Sequence, residues 1–200
     1  MRGIVGQLRC GRRSPVSSCR QVRQRGSGPV IHGRYFEFKG RPAVRFRCTY
    51  PFPVPRLWEA VSEPDELAHW FPSRVRLDTY AGGDIEFFPE PHSDPETGTV
   101  LVYGAPYTLA FTWGGDEIHF EVEPTADGCA LTLVNVLEVR NTAARNAAGW
   151  SVCLADLDRH LDGSDAPGHR GDASADWRPF YQTYLGEGMP SGAQIPGEPA

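Results

Sequence analysis

No stretch of this sequence approaches the roughly 20 consecutive apolar residues that a membrane-spanning helix needs, so a soluble chain with no membrane partner is expected. There is no G-x-S-x-G elbow, Walker loop, dinucleotide-binding glycine fingerprint or HExxH pair, which removes the common sequence warrants for acyl transfer, nucleotide binding and zinc hydrolysis. Cysteine is sparse: Cys10, Cys19, Cys48, Cys129 and Cys153 form no C-x-x-C pair, and no histidine lies at zinc-finger spacing. Neither a structural metal nor a cofactor is expected, and a reducing cytoplasm is the simplest compartment. Acidic residues are absent from positions 1–28, which hold seven arginines; from residue 29 onward 13 basic residues face 25 acidic ones. So acidic a body argues against nucleic acid as a partner. The basic head lacks the apolar run of a secretory signal and has neither helical nor strand periodicity, so residues 1–32 are expected to form a disordered leader.

What is present is enough for one core: 200 residues, 40% hydrophobic and 11% aromatic. "AVRFRCTY" alternates with Val44, Phe46, Cys48 and Tyr50 on one face, a half-buried first strand. Pro55 then opens a short helix, "RLWEAV", and Ser62 with Asp65 three residues on predicts a capped second helix, "PDELAHW". From Ser73 to Val139 six short β-rich runs alternate with Gly, Pro and Asp turns too tight for crossover helices, which implies antiparallel pairing. Ile85, Phe87, Leu109, Phe111, Trp113, Ile118, Phe120, Val122, Leu131 and Leu133 share the inward parity, while His119, Glu121 and Thr132 face solvent.

The last long element is "NTAARNAAGWSVCLADLDRHLDG", in which Ala143, Ala147, Trp150, Leu154, Leu157 and Leu161 recur at helical spacing. Gly149 costs such a helix roughly 1 kcal/mol relative to alanine, and with Asn146 and Cys153 it forms a second, thin stripe. The expected fold is α+β, a helix-grip arrangement: a seven-stranded curved antiparallel sheet around a long C-terminal helix, with two short helices after the first strand. The thin stripe then borders either a cavity or a close helix–strand contact, and spacing alone does not choose between them. The expected domain spans 33–163, followed by a linker (164–175), a short amphipathic helix (176–188) and a disordered tail (189–200). The aromatic stripe of that last helix, Trp177, Phe180, Tyr181 and Tyr184, is expected to dock on the domain or on a second copy of the chain.

"YPFPVPRLWEAVSEPDELAHWFPSRV" resembles the opening of the START-like (SRPBCC) superfamily, and more narrowly the stand-alone bacterial proteins similar to the C-terminal domain of the heat-shock-protein-90 ATPase activator. The resemblance continues through "AGGDIEFF", "GTVLVYGAPYTLAFTW" and "AAGWSVCLADLDRHLDG". It implies a largely hydrophobic internal cavity bordered by Trp70, Phe71, Phe87, Leu101, Tyr103 and Phe111. Trp113, Phe120, Leu133, Asn135, Trp150 and Cys153 complete that implied border. Asn135 stands where relatives often carry a histidine, and the basic leader is not part of the pattern.

No catalytic constellation emerges. Asp156 and Asp158 point in different directions on one helix, Cys153 has no neighbouring base, and the six histidines fall in loops, on outer faces or at a helix end. Asn135, polar on an apolar strand face, needs a hydrogen-bond partner from the protein, from water or from a ligand. The expected function is therefore non-enzymatic binding or sensing of a small apolar ligand. Its rivals are a chaperone- or protein-interaction module and a polyketide cyclase or aromatase-like enzyme, on the fold resemblance alone.

Overall fold

A computed structural model describes residues 31–88, 96–164 and 174–194. The leader expected at 1–32 falls outside the described residues except for its last two positions, as does most of the expected linker. The alternation around residue 46 becomes strand β2 (Arg41–Tyr50), but it does not stand at the sheet edge. A preceding strand, β1 (Arg34–Phe38), pairs with it antiparallel through a turn in which Lys39 and Gly40 have φ of 51° and 80°. The sheet therefore has eight strands rather than seven. Phe36 and Phe38 of β1 cover Ala43, Val134 and Val136 on the convex side, so that side is not uniformly polar. Arg45 and Lys39 lie over these two rings, an arrangement that lets cations and aromatic faces share one exposed patch.

After β2 come helices α1 (Val54–Ser62) and α2 (Pro64–Leu67). Ser62 does not cap α2; its hydroxyl donates back to the Trp58 carbonyl (2.8 Å), and Glu63 occupies the cap position without a side-chain bond. The second helix also ends three residues early. Trp70 and Phe71, adjacent in sequence, are both buried, and a continuing helix would splay neighbours about 100° apart.

Strands β3 (Arg74–Leu77), β4 (Asp84–Phe88), β5 (Glu96–Gly104), β6 (Thr108–Trp113), β7 (Asp116–Thr125) and β8 (Gly128–Val136) complete the sheet. The order is β1-β2-β8-β7-β6-β5-β4-β3, every pairing antiparallel. The register places Phe46, Leu133 and Phe120 side by side on the inner face, with Val44, Asn135 and Ile118 in the next row. A bulge between Val100 and Val102 breaks the parity of β5.

A single 3₁₀ turn (Arg140–Thr142) leads into helix α3 (Ala143–Leu161), which lies against the inner face. The Trp150, Leu154, Leu157 and Leu161 stripe is buried there as its spacing requires. Between sheet and helix, Trp70, Phe71, Phe87, Phe111 and Phe120 pack as one ring-on-ring cluster, with centroids 5.8–6.4 Å apart. The Trp70 indole N–H reaches the Ala60 carbonyl at 2.8 Å, so the cluster carries its polar atom satisfied. These rings account for part of the cavity border implied by resemblance, where they pack on one another.

The opposite side of α3 is covered too. Helix α4 (Ser174–Gly186) packs on it, with Tyr184 meeting Ser151, a small residue that lets two helices approach. The docked face centres on Tyr184, 1% exposed: Gly33 N–H donates to its hydroxyl (2.8 Å), which bonds to Ser151 Oγ (2.8 Å), which donates to the Ala147 carbonyl. The helix therefore docks on its own domain. Residues 189–194, expected to be disordered, continue along the start of α3. Thr142 offers that helix no side-chain cap, and the Pro190 carbonyl accepts from Ala144 N–H instead (2.9 Å), meeting one of the orphan donors of a helix start. Tyr184→Phe should therefore cost about 1–2 kcal/mol by leaving Gly33 N–H and Ser151 without their partner, read as a lowered urea midpoint at unchanged slope. Among the described residues no helix is long and apolar enough to cross a membrane.

Candidate functional site

Open space lies between the sheet and the N-terminal half of α3. The turn joining β6 to β7, the end of β8, the first half of α3 and the start of α4 enclose a cleft of about 740 Å³, open to solvent on one side. Six residues singled out in the sequence line it: Trp113, Asn135, Asn146, Gly149, Trp150 and Cys153. Trp70, Phe71, Phe87, Phe111, Phe120 and Leu133 instead belong to the filled core. Tyr103 is half-buried, edge-on to Trp58 at 5.7 Å. Leu101 is 38% exposed on the outside, by ordinary alternation with the inward Gly98 and Val100; the bulge then shifts the parity so that Val102 is exposed and Tyr103 half-buried.

Gly149 resolves the choice that spacing left open. A Cβ built there meets nothing within 4 Å, so the glycine is not a device for close backbone packing. It faces empty space, bounded by the indole of Trp150 on one side and Cys153 one turn on.

The polar wall of the cleft is a closed network centred on a residue the sequence reading passed over. Asp116 Oδ2 accepts from the side-chain amides of Asn135 and Asn146, each at 2.9 Å, and its Oδ1 accepts from Glu138 N–H at 2.8 Å. Asn135 Oδ1 in turn accepts from Asn146 Nδ2 and from the Trp150 indole N–H, both at 3.1 Å. Asn135, 1% exposed, thus finds its partners in other side chains, as a buried amide must. The signal for Asp116 was parity. It sits two residues before Ile118 and pairs across the turn with Trp113, so it shares their inward face. Trp177, supplied by α4, and Glu96, Glu138 and Arg145 at the rim are the other lining residues that strand patterning does not reveal. Glu138 folds over the turn at Gly115, where any Cβ would collide with its carboxyl group.

Two other clusters are structural. Tyr50 and Asp158 join β2 to the far end of α3. The hydroxyl lies close enough to favour the carboxylate, yet neither Tyr50 Oη nor Asp158 Oδ1 makes a regular hydrogen bond. Burial pushes the Asp158 carboxyl up to about 6, with the Tyr50 contact pulling against it, and burial with the Asp158 charge pushes the Cys48 thiol to about 11. A carboxyl raised from 3.8 in the unfolded chain destabilises the fold when ionised, and that cost disappears as pH falls through 6 toward 3.8. Asp158→Asn should accordingly stabilise the protein at pH 7.5 by about 1 kcal/mol, allowing for partial solvent screening. The advantage should close below pH 4 in paired urea titrations.

At the neighbouring corner Glu66 accepts from Arg56 (2.6 Å) and bonds His160 Nε2 (2.8 Å), while His69 stacks on His160 at 4.3 Å. Burial alone would raise the Glu66 carboxyl, but these two hydrogen bonds outweigh it and hold it below its usual range. This arrangement ties the short helices to the end of α3. In the cleft itself Cys153 is held as a thiol, its pKa raised by burial and then by Asp156, so it presents soft surface and no thiolate nucleophile. Among the described residues no three potential ligands are grouped to hold a metal.

These features meet known proteins at one point. A family model described as Activator of Hsp90 ATPase homolog 1-like protein matches residues 51–162. The solution structure of CalU16 from Micromonospora echinospora is similar at a TM-score of 0.62 and 20% identity, over 82% of this chain and 95% of that one. EF2215 of Enterococcus faecalis, a conserved protein of unknown function, gives a TM-score of 0.62 at 20% identity over 78% and 89%. DynU16, a protein of the dynemicin biosynthetic locus, gives 0.55 at 24% identity over 62% and 49%. At these identities the likeness is one of fold. No curated protein matches the chain.

Proposed function

The chain belongs to the Activator of Hsp90 ATPase homolog 1-like family, within the SRPBCC fold class, and from that premise we propose that it is a non-enzymatic module that takes up a small, largely apolar ligand in the cleft beside α3. The observation that carries this reading is Gly149. A glycine in the middle of a 19-residue helix is a standing cost, here not offset by any close backbone contact, and it opens onto a space of about 740 Å³. Trp113, Trp150, Ile118 and Cys153 supply apolar surface for the ligand's body, and the volume suits a molecule of two or three fused or linked rings.

The reading is one of binding without catalysis because the cleft's polar groups are engaged with one another. Asp116, Asn135 and Asn146 complete each other's hydrogen bonds, which makes them a rigid wall rather than a poised acid and base. The biosynthetic-locus setting of DynU16 directs the search for a ligand toward small molecules.

The test is uptake of a neutral fluorescent probe, N-phenyl-1-naphthylamine, by the full chain. Wild-type protein should bind it with enhanced emission. Gly149→Leu should abolish uptake by filling the cleft, while the helix gains propensity of up to about 1 kcal/mol and the melting temperature does not fall. Unchanged uptake in a folded Gly149→Leu variant would place binding elsewhere and end this reading.

A further inference from the structure

The walls of the cleft say more about its occupant than its volume does. Three indoles line it, Trp113, Trp150 and Trp177, each held in place by a partner. Trp150 has its N–H on Asn135, Trp113 is stacked on Phe87 at 5.0 Å with its N–H directed to Glu96, and Trp177 is stacked on Tyr181 at 4.7 Å. Among the described residues the same walls carry three carboxyl groups, Glu96, Asp116 and Glu138, against one cation. That cation, Arg145, donates to the Gln194 carbonyl (2.9 Å) and to Asn146 Oδ1 (3.3 Å). Indole faces are electron-rich and attract cations, and carboxylates add to that attraction and repel anions.

We infer that the cleft selects an organic cation: an apolar, ring-bearing body with a protonated or quaternary amine. The inference rests on the binding reading above and names the ligand class of that same site. Cavity, aromatic walls and excess carboxylate are separate features, and each favours the same occupant. A neutral ligand would gain the apolar contacts alone. An anionic one would be set beside three carboxyl groups whose hydrogen-bonding capacity, at Asp116, is already taken up by protein donors. The acidic balance of the chain beyond residue 28 acts in the same direction at long range, raising the local concentration of cations.

The experiment compares three molecules of one shape on the full chain: (1-naphthylmethyl)trimethylammonium, 1-naphthylacetate and the neutral 1-(methoxymethyl)naphthalene. Each is titrated by calorimetry and by displacement of N-phenyl-1-naphthylamine. The ammonium compound should bind at least about tenfold more tightly than the carboxylate, with the ether between them, and the gap should shrink in 0.5 M sodium chloride as the exposed carboxylates are screened. The double variant Glu96→Gln, Glu138→Gln should narrow the same gap. Equal binding of all three, or preference for the carboxylate, overturns the cation inference. The binding reading survives that result provided Gly149→Leu still loses the neutral probe. If neither the probe nor any of the three binds, the binding reading falls and this inference falls with it.

Discussion

Truncating Trp150 to alanine should lower the free energy of unfolding by about 3–5 kcal/mol, the range for a buried aromatic cut back to a methyl group. The residue is 5% exposed, its ring lies 5.8 Å from Phe71, and its N–H is bonded to Asn135. The surroundings cannot close over the gap, because Phe71 is itself wedged among Phe87, Phe111 and Trp113. For a protein of this size each kcal/mol moves the midpoint by about 2–4 °C, so the melting temperature should fall by roughly 6–20 °C. Trp150→Phe separates packing from hydrogen bonding. It keeps most of the ring surface and should cost about 1–2 kcal/mol, since Asn135 Oδ1 retains its bond from Asn146. A loss below 1 kcal/mol for the alanine variant would mean that this face of α3 does not meet the sheet.

That register was legible in the sequence because it rests on a strong local signal. Bulky residues at helical spacing admit one buried face, and period-two strands on a covered sheet admit one inward set, so the inner rows of β2, β4, β6, β7 and β8 follow from alternation. The thin stripe was equally visible, and Asn146, Gly149 and Cys153 do lie together on the cleft. Two things were hidden for physical reasons. Strand β1 is short and edge-placed, with its two phenylalanines on the convex side, so it breaks the rule that apolar residues face in. Leu101 and Tyr103 do not share a face, because one extra residue in a bulged strand inverts parity between them, and a bulge leaves no mark in a hydrophobicity pattern.

The division of the implied border between core and cleft was hidden for a different reason. A curved sheet over a helix makes room, but whether side chains fill that room depends on their three-dimensional packing. Here consecutive residues Trp70 and Phe71, placed by the turn after α2, are large enough to occupy the centre. The cleft opens where the helix carries glycine, beside the β6–β7 turn. Trp177 arrives there from a helix, 27 residues further along than Trp150, a separation no local pattern spans.

Asp116 shows how a site residue escapes notice and how its importance can be measured. It follows Gly114-Gly115, where an aspartate is unremarkable turn chemistry, and its partners Asn135 and Asn146 lie 19 and 30 positions away. Removing its carboxylate in Asp116→Ala deprives three donors of one acceptor. Asn146 Nδ2 keeps its bond to Asn135, and Asn135 Nδ2 retains a long contact of 3.4 Å to the Val136 carbonyl, whereas Glu138 N–H has no substitute. With charge-assisted bonds contributing about 1.5–3 kcal/mol each and water able to enter from the open side, the net loss should be about 2–4 kcal/mol. Asp116→Asn retains one oxygen and should cost about half as much. Because the two amides are held by the carboxylate and by each other, Asp116→Ala and Asn146→Ala should not be additive: the double variant should lose about 0.5–3 kcal/mol less than the sum of the singles. Strict additivity would mean that the wall is a set of independent contacts, and the rigidity that the cleft derives from it would have to come from the aromatic side alone.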